Sequence, residues 1–335
     1  MVVQEARWYE KATDKKVVCQ LCPHGCRISE GERGVCRVRV NVDGKLYSKN
    51  YGLCTPLTVD PIEKKPLYHF YPGKNILSVG TYGCNFKCAY CQNWYLAHAE
   101  PALVPLKPVQ IVEAAKRLQE QDNIGIAYTY SEPTVWYEFV YDTAKLAKEA
   151  DLLNVLVTNG YIEEKPLKEL LPLIDAWNID LKAFQEDFYR QYIRGDYKPV
   201  LRTIETVLKA GCHVELTTLL VTEKNDSAEE IEALSQWCVT QLGKDVPLHF
   251  SRYFPNYRLN LPPTPLTSME KAYNIAKTKL NYVYLGNAPE LGKSNTYCPR
   301  CNELLILRSG YYIKVRGVEH NKCAFCGQKL PIIGL

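Results

Sequence analysis

From about residue 75 to residue 289 the chain alternates short apolar runs with longer amphipathic stretches, and nothing else in the sequence restricts its fold as much. The apolar runs are Ile76–Thr81, Gly125–Tyr130, Asn154–Thr158, Ala176–Leu181, His213–Val221 and Val246–Tyr253, with a seventh at Tyr282–Leu285. They lack strict apolar–polar alternation, so they read as strands buried on both faces. Between the first two, Ile111, Val112, Ala115 and Leu118 share one stripe of a helix over Val109–Gln121. Pro133 stands just inside a helix start and Gly211 just past a helix end. Asp226-Ser227 ahead of Glu229-Glu230 has the form of a capped, acidic first turn. This repeated alternation predicts an α/β fold: a parallel sheet with right-handed crossovers, either doubly wound or closed into a complete or partial barrel. In each case function gathers at the carboxyl ends of the strands. Those ends are polar here. Cys84 follows the first, Ser131-Glu132 the second and Thr158-Asn159-Gly160 the third; Asp180 and Lys182 close the fourth. Thr217 and Thr218 lie in the fifth, and His249, Ser251 and Arg252 in the sixth.

Cysteine is the compositional outlier, at 14 of 335 residues. Residues 1–16 scatter charges and hold no apolar signal segment, and no apolar run approaches the roughly 18 residues that a membrane span needs. The expectation is a cytoplasmic chain with no membrane contact, whose thiols stay reduced and serve metals. Eleven of the cysteines fall in three groups: Cys19, Cys22, Cys26 and Cys36; Cys84, Cys88 and Cys91; and Cys298, Cys301, Cys323 and Cys326. Of the remainder, Cys212 and Cys238 read as small core residues, and Cys54 sits in a loop close behind the first group. The expected organisation is a Cys-rich metal-binding segment over 1–70, an α/β core over 71–289, and a zinc-ribbon-like tail over 290–335. In the tail, two Cys-x2-Cys knuckles some 20 residues apart are the pattern of a closed tetrahedral zinc site. The first group supplies four thiolates that suit structural zinc or an auxiliary iron–sulfur cluster, with zinc the preferred reading and His24 a bystander.

The central group is different. Iron–sulfur clusters usually take four thiolates, and this loop offers three, with no fourth cysteine nearby. Three would leave one iron open to a small molecule. Gly83 lets the backbone turn sharply before Cys84, and Tyr90 offers an aromatic face just before Cys91. Cys-x3-Cys-x2-Cys with an aromatic before the last cysteine, placed after the first strand of a β/α array, resembles the radical S-adenosylmethionine (SAM) superfamily. The resemblance implies a partial (β/α)6 barrel akin to the TIM barrel, with Cys84, Cys88 and Cys91 as the catalytic cluster ligands.

Other segments resemble the activating-enzyme branch, which contains pyruvate formate-lyase activase. Ser131-Glu132-Pro133 stands where that branch has Gly-Gly-Glu-Pro, which implies that Glu132 holds the methionine amino group and that Ser131 replaces a glycine. Thr158-Asn159-Gly160 resembles its Asp-Thr-Asn-Gly. Val157 stands in place of the Asp, so the monovalent cation which that Asp helps bind is not implied here. Asp180-Leu181-Lys182 matches its Asp-Leu-Lys, implying SAM contacts from Asp180 and Lys182. His249 stands where a strand-borne His lies near the ribose, and Tyr90, Asn93 and Thr217 complete the implied cofactor-binding set. Cys19 to Arg37, the Tyr-Gly-Cys-Asn loop, Tyr128 to Pro133 and Tyr282 to Cys301 together are similar to the radical SAM enzyme of the AmmeMemoRadiSam system, over essentially the whole chain.

The activity that the resemblance implies is [4Fe–4S]-dependent reductive cleavage of SAM to methionine and a 5′-deoxyadenosyl radical, then hydrogen abstraction from a substrate that the motifs do not specify. The implied partners are a ferredoxin or flavodoxin as electron donor, a small-molecule or protein substrate, and the AmmeMemoRadiSam partner proteins. Two alternatives stand beside it: an activase that installs a glycyl radical on a partner protein, and a metal-stapled module that binds nucleic acid or protein. The formal charge of +4 and the lack of a long basic run argue against nucleic acid. With no Walker loop, no Gly-x-Gly-x-x-Gly and no local Ser/His/Asp pattern, phosphoryl transfer and hydrolysis drop out.

Overall fold

The computed structural model describes residues 4–335. Its centre is an eight-stranded sheet. The strands are β1 (Thr58–Pro61), β2 (Asn75–Val79), β3 (Asn123–Tyr128), β4 (Leu153–Thr158), β5 (Ala176–Asp180), β6 (His213–Leu220), β7 (Leu248–Arg252) and β8 (Val283–Gly286). They neighbour one another in chain order from β1 to β8. β2 through β8 are parallel, and β1 pairs antiparallel with β2 at the edge. A doubly wound sheet reverses its strand order at a switch point, and this order has no reversal, so the doubly wound alternative is excluded.

Six helices fill the six crossovers: α1 (Pro108–Arg117), α2 (Tyr137–Glu149), α3 (Glu164–Leu170), α4 (Lys198–Lys209), α5 (Ala228–Leu242) and α6 (Leu266–Lys277). Their ends follow the expected chemistry. The Ser227 hydroxyl accepts the Glu230 N–H at 3.2 Å at the start of α5. Gly211, with φ +82°, turns the chain out of α4. The helix expected from Pro133 starts later: residues 133–136 form a 3₁₀ turn, and α2 begins at Tyr137.

Alternate side chains of the strands face opposite ways. Ile76, Ala127, Val155 and Ala176 meet Ile62, Leu67 and Phe70 on one face. Leu77, Val79, Ile126, Tyr128 and Leu156 join the helices on the other. The amino-terminal part folds as two small antiparallel sheets: residues 4–5 with 39–42 and 45–48, and residues 9–11 with 17–19 and 27–28. It is bolted to α2 by Arg39, whose guanidinium lies 2.8 Å from each carboxylate oxygen of Glu138, both side chains being only 2% exposed. Among the described residues, no helix is long and apolar enough to cross a membrane.

The carboxy-terminal part reaches back into the sheet. Arg308, on the strand Leu304–Ser309, is buried. It donates to the Tyr68 carbonyl and to the Thr296 hydroxyl, each at 2.7 Å, and lies over the Tyr68 ring. Thr296 meets the Tyr284 hydroxyl at 2.9 Å, and Tyr284 meets His69 Nε2 at 2.6 Å. A continuous polar chain thus runs from the tail to the interior of β8.

Candidate active site

The loop after β2 carries Cys84, Cys88 and Cys91, and its shape depends on a close backbone approach. Gly83 has φ +92°, and a Cβ there would lie 2.6 Å from Val38 Cγ1 and 2.9 Å from the Cys36 carbonyl oxygen. The loop is clamped on its far side. The Lys87 and Ala89 amides donate to the carbonyls of Ile193 and Tyr192, each at 2.8 Å, within a π-helical turn over Tyr189–Ile193. The Arg258 amide donates to the Ala89 carbonyl at 2.9 Å.

This loop roofs a cavity of about 240 Å³ at the carboxyl ends of the strands. Cys84, Cys88, Tyr90, Cys91 and Asn93 line it from the loop. Ser131 and Glu132 reach it after β3, Thr158 and Asn159 from β4, Asp180 and Lys182 from β5, and Thr217 from β6. Four further polar residues line it that were not nominated as site residues, Gln92, Thr129, Tyr130 and Ser251. Ser251 was legible as a polar strand end, and strand alternation puts it on the same face as His249, one step nearer the mouth.

The structure does not bring His249 to this cavity. Its ring sits deeper, with Nε2 at 2.6 Å from Glu215 Oε2. Glu215 Oε1 also meets His213 Nε2 at 2.9 Å and accepts the His69 amide at 2.7 Å. The rings of Tyr68 and Tyr284 pack on His249 at centroid distances of 4.7 and 5.1 Å. Burial opposes a charge on Glu215, but the hydrogen bonds from the two histidines outweigh it and hold the carboxyl well below its usual range.

Glu132 is the most constrained group in the cavity. Its Oε1 accepts from the Thr134 amide at 2.9 Å and the Thr158 hydroxyl at 2.6 Å, and its Oε2 accepts from the Asn159 amide at 2.8 Å. A carboxylate has about four lone-pair sites, so acceptor capacity is left on Oε2. Burial raises the Glu132 pKa, and these hydrogen bonds counter it only in part. Asn159 also directs its side-chain amide to Cys84 Sγ at 3.8 Å and to Asn85 Oδ1 at 2.8 Å. Lys182 Nζ is 2.6 Å from Asp180 Oδ2, and the Asp180 and Cys88 charges hold its ammonium above the usual range against the pull of burial.

The residues present fit a metal cluster with a polar ligand. Burial pushes the Cys84 thiol well above its usual range, Cys88 up to about 12, and Cys91 upward too. Metal ligation is what turns such buried thiols into thiolates. Two hydroxyls lining the cavity, those of Tyr90 and Ser131, are buried without a hydrogen-bond partner. Buried hydroxyls seldom go unpaired, and a ligand filling the cavity is one source of partners for these two.

The other two cysteine groups do not line this cavity. In the tail, Cys298 and Cys326 sulfurs are 3.6 Å apart and Cys301 and Cys323 sulfurs 3.7 Å, and all four lie within 4.8 Å of one another, so they could hold one metal ion. Cys19 ends the strand Val17–Cys19 and its amide donates to the Cys26 carbonyl at 2.9 Å, while the Gly25 amide donates to the Cys22 carbonyl at 3.1 Å. Cys54 is fully buried in a short strand paired with Val104, Cys212 approaches the Leu171 carbonyl at 3.7 Å, and Cys238 is buried in α5.

Comparison with known proteins agrees with this geometry. Residues 78–238 match the Radical SAM superfamily. Uncharacterized protein MJ0808 of Methanocaldococcus jannaschii is 45% identical over 99% of this chain and 100% of its own length. A second protein of that organism, MJ1632, named as a candidate glycyl-radical enzyme activating enzyme, is 30% identical over 61% of this chain and 77% of its own. The crystal structure of a radical SAM methyltransferase from Sphaerobacter thermophilus shares the fold, with a TM-score of 0.51 at 16% identity over 70% of this chain and 71% of that one. A three-cysteine loop at the mouth of a sequentially ordered parallel sheet, and relatives that match it at the level of sequence, lead to one conclusion: the chain belongs to the radical SAM superfamily.

Proposed function

We propose that the chain is an oxidoreductase-type enzyme that cleaves SAM reductively, with Cys84, Cys88 and Cys91 holding its [4Fe–4S] cluster. The observation that carries this reading is the convergence of three thiols and two unpaired buried hydroxyls on one cavity. When bound, the cluster and SAM supply the electron and the 5′-deoxyadenosyl radical that takes a hydrogen from substrate. The protein supplies placement. Glu132, locked by Thr134, Thr158 and Asn159, offers its remaining lone pair to the methionine ammonium as a charge-assisted hydrogen bond. Lys182, steadied by Asp180, puts a positive charge beside Cys88. Tyr90, Asn93, Thr217 and Ser251 line the rest of the cavity and would surround the remainder of the cofactor.

The same reading takes the sheet as a partial (β/α)6 barrel, which its sequential winding supports. It takes the tail as a zinc ribbon. Four thiolates at about 2.3 Å from zinc stand about 3.8 Å apart, close to the observed 3.6 and 3.7 Å. The motif set supports the AmmeMemoRadiSam subgroup, a cytoplasmic setting and a ferredoxin or flavodoxin as reductant.

A test is anaerobic reconstitution with iron and sulfide, reduction, and chromatographic detection of 5′-deoxyadenosine. The native chain releases it and Cys88→Ala does not; cleavage that survives in the variant overturns the assignment. A second reading, a glycyl-radical activase, is favoured by the name of the MJ1632 relative. It requires a glycyl radical on a co-expressed partner, detected by electron paramagnetic resonance.

A further inference from the structure

We propose that Asp60, Lys65 and Tyr130 are positioning residues for SAM: together they latch the strained turn that carries Ser131 and Glu132 to the cavity. The inference rests on the proposed SAM site and adds the residues that set it up.

The backbone of this turn is unusual. Thr129 is still tied to the sheet, its amide donating to the Val79 carbonyl at 2.9 Å. The Ser131 amide then donates to the Thr129 carbonyl at 2.9 Å, which closes a γ-turn centred on Tyr130. Tyr130 has φ +70°. A γ-turn of positive φ is the rare and strained form, and only glycine enters that region without steric cost. Gly80 makes room for the turn: a Cβ there would collide with the Thr129 carbonyl and lie 3.3 Å from Tyr130 Cβ and Cδ2. Strain of this kind persists only where its surroundings hold it.

The Tyr130 side chain supplies the hold. Its hydroxyl donates to Asp60 Oδ2 at 2.7 Å, and Lys65 Nζ lies over its ring, 4.9 Å from the centroid. Asp60 stands on β1 and accepts Lys64 Nζ on Oδ1 at 2.8 Å and Lys65 Nζ on Oδ2 at 2.6 Å. Burial opposes its charge, but the hydrogen bonds from Lys64, Lys65 and Tyr130 outweigh it and hold the carboxyl well below its usual range. The Asp60 and Lys65 side chains are only 3% and 2% exposed. The anchor is therefore fixed and ionised, and its bond to Tyr130 is of the stronger, charge-assisted kind.

The turn decides what the cavity presents. Thr134, Thr158 and Asn159 fix the Glu132 carboxylate, but the backbone that brings Glu132 to them leaves β3 through Tyr130. A Tyr130 relaxed to negative φ would turn Ser131 and Glu132 away from the end of β4. The latch keeps the carboxylate in place before SAM arrives, so binding does not have to supply that ordering. An edge strand that contributes no residue to the cavity lining thus acts on cofactor affinity.

The test is a variant series read by isothermal titration of SAM into the anaerobic, cluster-loaded chain. Tyr130→Phe removes the latching hydroxyl and keeps the strain, and should weaken binding about tenfold. Tyr130→Ala should weaken it at least as much. Tyr130→Gly also loses the latch, but glycine takes φ +70° freely, so it should bind SAM more tightly than either. A tyrosine that merely packed would give the reverse order, with Phe the best variant and Gly the worst. Asp60→Asn should weaken binding in the native background and have no further effect when added to Tyr130→Gly. In the absence of SAM, the amides of residues 131, 132 and 134 should exchange faster in Tyr130→Phe than in the native chain. The packing order, additive effects of Asp60→Asn and Tyr130→Gly, or exchange unchanged in Tyr130→Phe would each overturn the proposal. A native chain that binds no SAM removes the proposed reaction and this inference together, whereas native binding with the packing order removes this inference alone.

Discussion

Tyr90 and Ser131 provide a test in which the two expected effects have opposite signs. Both hydroxyls are buried at the cavity without a partner. A buried hydroxyl stripped of water and left unpaired costs about 1–3 kcal/mol. Tyr90→Phe and Ser131→Ala delete the hydroxyl and leave the rest of the side chain. The Tyr90 ring keeps its contact with Phe188, 5.9 Å away between centroids. Without SAM, each variant should therefore be more stable than the native chain, by about 1 kcal/mol at the low end of that range. With SAM, the same deletion removes a hydrogen bond to the ligand. The loss of about 1 kcal/mol weakens binding roughly fivefold. Anaerobic urea denaturation of the cluster-loaded chain measures the first effect, and isothermal titration with SAM the second. Variants that are less stable without SAM, or that bind it as tightly as the native chain, would show that these hydroxyls are not waiting for the cofactor.

Buried groups elsewhere give three more expected outcomes. Arg39→Met leaves the buried Glu138 carboxylate without a counter-charge, held only by the Arg7 amide at 3.0 Å, and should cost about 3–5 kcal/mol in urea denaturation, whereas Arg39→Met with Glu138→Gln should recover part of it; equal losses in both would refute the pair's role. Burial holds His69 neutral, with its pKa lowered to about 3. The unfolded chain takes up a proton there near pH 6.5 and the folded chain does not, so its stabilising effect is complete above that pH and fades as pH falls toward 3, by up to about 1.4 kcal/mol per pH unit. His69→Gln should flatten this slope, measured as denaturation midpoints from pH 7 to pH 5. Breaking the tail's cysteine site with Cys298→Ser/Cys301→Ser should raise amide exchange at residues 304–309 and also at Tyr284, because Arg308 and Thr296 join the two; exchange confined to the tail would refute that coupling.

The parts of this molecule that could be read from sequence are those written in local pattern. Each apolar run became a strand because neighbouring residues alone decide burial on both faces, and the cysteine loop was visible because its ligands lie within eight residues of one another. β1 was missed for the opposite reason. Thr58 and Val59 are exposed, and what makes Thr58–Pro61 a strand is its pairing with residues 75–78. The Arg39–Glu138 pair joins residues 99 apart, and no local signal announces it. His249 illustrates a subtler limit. Strand parity put it on the correct face, but depth along the strand decides whether an inward side chain meets ligand or core. Glu215, hidden within an apolar run, had already claimed the histidine.

Arg308 makes the carboxy terminus indispensable in a way its small size conceals. A chain cut at residue 290 would discard that guanidinium together with Thr296, and the Pro331 carbonyl that faces His69 Nδ1 at 3.3 Å. Tyr68 and Tyr284 would then face water from below, and the stack beneath His249 and Glu215 would lose its floor. Trimming the last 45 residues to obtain a minimal catalytic unit would thus open one face of the central sheet from its base, beneath an intact cysteine loop.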